Sequence, residues 1–201
     1  MIKKWIAAVA AGLTLAGCFL VKGNEAYVDY EPQWKATGTR PEALLTASIE
    51  PRPDTLGIRY TLRNNGSEPL VAYVGVTGEA ASHAWDVYVT AREDGVVEIA
   101  KRTFTIPPNV NADSIGQIEG VVVAAGAEFT EDFAVPLPLK ARRPYTTKAK
   151  LPDPVRKVAF CLGVVLQKEA PPPQPADGSA RGRYPLNGPQ HLFCSEVVNI
   201  P

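Results

Sequence analysis

Two histidines, His83 and His191, are the only imidazoles among 201 residues, so acid–base and metal chemistry have few starting points. Ser82 directly precedes His83. Neighbours on an extended strand face opposite sides, so this pair lacks the geometry of a nucleophile beside its base. No Gly-x-Ser-x-Gly elbow occurs. Both histidines therefore read as surface or strand-end residues. Asn109, Asn111 and Asp113 alternate as oxygen ligands do at the start of an EF-hand loop. The pattern then fails, because Ser114 stands where that loop needs glycine and Gly120 where it needs a bidentate glutamate. Paired carboxylates occur at Glu93-Asp94 and Glu131-Asp132. The first reads as turn chemistry beside Gly95, the second as a solvated pair at the edge of an apolar strand. Neither supplies the converging carboxylates of a glycosidase. The expectation is a non-enzymatic protein with no catalytic residue, no cofactor and no metal.

The remaining chemistry lies in three cysteines, and Cys18 has a distinctive setting. Lys3 and Lys4 precede an apolar run from Trp5 to Thr14, and Leu15-Ala16-Gly17-Cys18 follows. A cationic start, a short apolar stretch and small residues before a cut site form the layout of a secretory signal peptide. The run is roughly half the ~20 residues that a bilayer-spanning helix requires. The ending Leu15-Ala16-Gly17-Cys18 resembles the lipobox of bacterial lipoproteins. That resemblance implies a diacylglycerol thioether on Cys18, cleavage after Gly17 and acylation of the new amino group. In the Gram-negative sorting pattern an aspartate after the lipid-bearing cysteine goes with inner-membrane retention. Phe19 in that place implies an outer-membrane anchor with the domain facing the periplasm, rather than an inner-membrane or cell-surface location. Three acyl chains exceed the two signals that stable anchoring needs.

With Cys18 assigned to lipid, Cys161 and Cys194 remain. No Cys-x-x-Cys is present, and two cysteines in an exported chain read as one disulfide. Lys3 and Lys4 leave with the signal, so the chain after Gly17 carries two more acidic than basic groups. A nucleic-acid partner, which would call for a basic excess, is not expected. Nineteen prolines and 16 glycines suit short strands and turns better than helices.

The chain divides into a signal peptide at 1–17, a lipid-anchored tether at 18–40 and a folded domain at 41–201. The tether loses hydrophobic period and carries Tyr27, Tyr30 and Trp34. In the domain, Leu56, Ile58, Tyr60 and Leu62 alternate with Gly57, Arg59, Thr61 and Arg63, the period of a half-buried strand. Asn64-Asn65-Gly66-Ser67 is a turn signal and predicts a hairpin onto Leu70–Val76. Asp94-Gly95 predicts a second hairpin, between a strand around Trp85–Thr90 and one over Val96–Ile106. Further strands are expected at Leu44–Glu50, around Val121–Val135, across Val158–Leu166 and over His191–Ile200. Cys161 and Cys194 fall out of phase with the larger apolar residues, so both thiols are expected to point away from the core. About seven to nine short strands with turn signals indicate an all-β, antiparallel β-sandwich of immunoglobulin-like architecture.

Two segments read as contact surfaces. Lys140, Arg142, Arg143, Lys148 and Lys150 surround Tyr145, a basic run suited to anionic headgroups or phosphates. The second is a proline-rich loop near 170–190 that includes Pro172 and Pro173, followed by Arg181, Arg183 and Tyr184; its prolines favour a pre-extended chain. The leading expectation is an envelope lipoprotein whose sandwich serves as an interaction or assembly module, held to the membrane through Cys18 and meeting an envelope protein. The alternatives are a glycan, small-molecule or metal-binding sandwich using its end loops, and an inhibitor-like domain presenting the proline-rich loop.

Overall fold

The computed structural model describes residues 38–76, 87–107, 115–145, 149–175 and 181–201. Among the described residues the chain is all-β, with a single 3-10 turn at Gln167–Glu169. A three-stranded sheet takes the order β1 (Ala43–Pro51), β2 (Thr55–Asn64), β7 (Glu128–Pro136). The second sheet has nine strands. Its main path runs β4 (Tyr88–Ala91), β5 (Val97–Lys101), β8 (Lys157–Leu166), β3 (Leu70–Val76), β6 (Gln117–Val123), β10 (Gly182–Pro185), β9 (Gln174–Pro175). Two further strands, β11 (His191–Cys194) and β12 (Val198–Asn199), also pair with β8. The second sheet is mixed rather than antiparallel throughout, because β5 runs parallel to β8.

The sheets share one core. Leu56, Ile58, Tyr60 and Leu62 of β2, the residues of the period-2 pattern, meet Leu70, Ala72, Val158, Phe160, Leu162 and Val164 of the facing sheet. Tyr60 stacks on Phe160 at 4.7 Å between ring centroids. A second cluster lies on the other face of the larger sheet, where Val71, Tyr73 and Val165 pack with Phe104, Tyr184 and Leu186. Irregular chain covers that face: the Phe104 amide donates to the Leu186 carbonyl at 2.7 Å. Both faces of β8 are consequently buried, and every residue from Val158 to Leu166 is inside.

Several sequence expectations change here. The hairpin at Asp94-Gly95 forms: β4 pairs antiparallel with β5, Gly95 has φ 76 and the Asp94 carboxylate accepts from the Val96 amide. Its return strand ends at Lys101, short of Ile106. Asn64–Ser67 does not close a hairpin. The chain crosses there between sheets, since β2 pairs with β1 and β7 whereas β3 pairs with β6 and β8. The buried Asn64 amide makes this corner by donating to the carbonyls of Glu68, Val123 and Ala124. The strand expected over His191–Ile200 is split, because Ser195 leaves the ladder to bond Phe160 through both its amide and its hydroxyl.

Cys161 and Cys194 are bonded, directly opposite one another on β8 and β11 with Cα atoms 4.1 Å apart. Cys194 is exposed as expected, but Cys161 is fully buried. A separation of 33 residues corresponds by chain entropy to roughly 3–4 kcal/mol of stabilisation.

Candidate functional site

Three of the chain's Pro-x-Pro triplets stand next to long strands: Pro51-Arg52-Pro53 at the end of β1, Pro136-Leu137-Pro138 at the end of β7, and Pro152-Asp153-Pro154 ahead of β8. Proline fixes φ and carries no N–H, which ends pairing and stiffens the exit from each strand. The sandwich brings the three triplets to one end. The Leu137 amide donates to Asp54 O at 2.8 Å, and the Ile200 amide to Arg156 O at 2.9 Å. Between them lies a groove of about 940 Å³. Its floor is Leu56, and its walls carry Leu137, Leu139, Leu151, Val155 and Ile200. All five wall residues are half-buried and pack against the main core. Asp54 and Asp153 stand exposed at the groove. The volume lies within the ~300–1,000 Å³ usual for ligand sites.

The groove and the chain's entry occupy opposite ends of the domain. Thr39 donates its amide to the Glu169 carboxylate at 3.2 Å, and Asn65 donates to Glu42 O at 2.8 Å. Strand β1 then runs nine residues from that end to Pro51. At ~3.4 Å per residue it spans roughly 27 Å.

A second polar constellation joins the two sheets. Lys101, at the end of β5, donates to Glu131 Oε2 at 2.7 Å and to Val74 O at 2.8 Å. Tyr60 donates its hydroxyl to the same Glu131 oxygen at 2.7 Å. The Lys101 ammonium also lies 4.4 Å from the centroid of Phe133. Arg181 stands 3.9 Å from Glu131 and 3.1 Å from Glu119. Glu131 is thus an inter-sheet clasp and not the solvated residue expected from its position. The Lys101 side chain is only 3% exposed, against 19% for Glu131. This cluster ties the two sheets together.

Burial, reinforced by the Glu131 carboxylate, raises the Tyr60 phenol above its ordinary 10.0. Burial also raises Tyr73, with Tyr184 adding to the effect, and Tyr88, where Arg142 partly opposes it. The folded state therefore holds these protons when the unfolded chain releases them. Their contribution to stability is fully present below about pH 10 and falls as pH rises above it, by about 1.4 kcal/mol per pH unit for each phenol. The phenolate absorbance owed to these three of the seven tyrosines should accordingly rise in one cooperative step coincident with loss of far-ultraviolet β signal. Full ionisation of all three phenols with the β signal intact would contradict this.

Of the contact residues read from sequence, Arg142, Arg143, Tyr145 and Tyr184 lie at the second cluster, whereas Arg181 joins the Glu131 group. Arg142 pairs through its backbone with Val89 in both directions, at 2.8 and 2.9 Å, and its guanidinium lies 5.7 Å from the Tyr88 centroid. Arg143 lies 5.9 Å from the centroid of Phe104. Tyr145, at φ 64, packs against the same cluster. Pro172 and Pro173 are exposed, and Arg183 is half-buried on β10. Tyr184 is buried in the cluster, 5.9 Å from the Tyr73 ring, and takes no part in a surface. The proline-rich loop is in part an edge hairpin, since β9 pairs with β10 and β10 continues onto β6. Leu15, Ala16, Gly17 and Cys18 lie outside the described residues, as do Ser82, His83, Lys148 and the Asn109, Asn111 and Asp113 set.

No protein family, characterised protein or solved structure matches this chain. The groove was not among the sequence expectations. Its signal was present in the three triplets, but each reads alone as a strand terminator.

Proposed function

We propose that this chain is a non-enzymatic envelope lipoprotein, anchored in the outer membrane through Cys18 and facing the periplasm, whose domain is an interaction or assembly module. The single observation that carries the reading is the separation of ends. A domain tethered through the residues before Gly38 offers its apolar groove at the far end, away from the bilayer and toward other envelope proteins. The strand pairing supports an immunoglobulin-like sandwich. Strands β1-β2-β7 take the places of one sheet, and β6-β3-β8-β11 those of the other, with β4-β5 as an inserted hairpin. In this reading the disulfide joins neighbouring strands rather than bridging the sheets as in antibody domains.

Replacing Cys18 with serine should abolish incorporation of labelled fatty acid and release the protein from the membrane fraction; continued labelling would end the lipoprotein reading. For the module, a photo-crosslinking side chain at Leu139 should join one identifiable envelope protein in living cells. The same group at Thr61, on the outer face of the small sheet, should not. Failure to crosslink at Leu139, or equal capture at Thr61, would remove the groove from the reading.

A further inference from the structure

We infer that the occupant of the end groove is an extended apolar segment of a protein partner that carries lysine or arginine. The inference rests on the interaction-module reading and names the chemistry of its partner. Pro51, Pro53, Pro138, Pro152 and Pro154 line the groove and bring no amide donors to it. Asp54 and Asp153 add carboxylates, and among the described residues neither carboxylate is held in an ion pair. The cationic lining residue, Arg52, is already engaged. Its guanidinium lies across Gly57, where a Cβ would stand 2.8 Å from Nη2, and 3.6 Å from Glu50.

The groove is therefore poor in proline-borne donors, negatively biased at Asp54 and Asp153, and apolar along Leu137, Leu139, Leu151, Val155 and Ile200. A matching ligand brings apolar side chains to the walls and N–H donors or positive charge to the two aspartates. A lipid surface does not suit the place, since the groove opens at the end opposite the chain's entry. Proline-stiffened walls lose little freedom on binding, which favours an extended peptide over a partner that must mould the site.

The test uses the full lipidated chain in neutral detergent and a synthetic decapeptide of alternating leucine and lysine with one photo-reactive leucine. Adducts should map to 137–139 and 151–155. Their yield should exceed at least tenfold that of the same peptide with glutamate replacing lysine. The double variant Asp54→Asn/Asp153→Asn, which alters two exposed side chains, should erase that preference while leaving the melting temperature unchanged. Equal yields from the two peptides, adducts confined to other segments, or a preference that survives the double variant would overturn the assignment. If Leu139 captures a partner in cells while the lysine preference is absent, the chemistry named here fails and the docking reading stands. If Leu139 captures nothing, the docking reading itself fails.

Discussion

Replacing Glu131 with leucine should destabilise the domain by about 3–5 kcal/mol, because it takes the carboxylate away from a buried ammonium between the sheets. Lys101 is 2% exposed and would lose that carboxylate while keeping the Val74 carbonyl and the face of Phe133. The Tyr60 hydroxyl would lose its acceptor as well. The pair itself need not add much net stability, since removing two charges from water offsets most of their attraction. A double variant, Lys101→Met with Glu131→Leu, should therefore recover most of the loss and retain a residual of about 1 kcal/mol for the unpaired Tyr60 hydroxyl. Urea unfolding of wild type, both single variants and the double variant measures the cycle. A Glu131→Leu loss below 1 kcal/mol, or a double variant no better than the single, would mean that water screens the cluster.

Gly163→Ala should cost on the order of 3 kcal/mol, although it adds one methyl group. Gly163 lies on β8 beneath the Gln190 side chain, which is fully buried. Gln190 acts as a strand partner for Thr103: its Oε1 accepts from the Thr103 amide at 2.9 Å, and its Nε2 donates to the Thr103 carbonyl at 2.8 Å. A Cβ on Gly163 would overlap Gln190 Oε1 and lie 3.0 Å from Tyr73 Cδ2. Moving Gln190 leaves two backbone groups of Thr103 buried without partners. Gln190→Ala should be nearly as costly, and the double variant should cost little more than Gln190→Ala alone, since the methyl then fills vacated space. Additive losses in urea unfolding would show that Gly163 and Gln190 act through separate contacts.

The sequence was a good guide wherever the determinant was local. Asp94-Gly95 made its hairpin because the aspartate and the positive φ of glycine act within four residues. Asn64-Asn65-Gly66-Ser67 carried the same kind of signal and was misread as a hairpin. There the Asn64 amide reaches carbonyls about 60 residues away at Val123 and Ala124, a competition that no local pattern records. Alternation along Val158–Leu166 placed Phe160 and Leu162 in the core. The burial of Cys161, out of phase with them, depends on its neighbours Ala100 on β5 and Cys194 on β11, both distant in sequence. Glu131 looked solvated because its partner Lys101 stands 30 positions earlier and on the other sheet.

By itself the sequence determined the all-β class, the strands of the main core, the disulfide partners and the expectation of lipid at Cys18. Each follows from residue type and short spacing: period-2 burial, turn chemistry, the thiol count, and a cationic-apolar-cysteine run. The tertiary structure alone decided which strands share a sheet, which face of β8 is covered and where the three Pro-x-Pro triplets meet. Those outcomes depend on pairings between residues far apart in the chain, whose free energy is realised only when the two sheets close on one another.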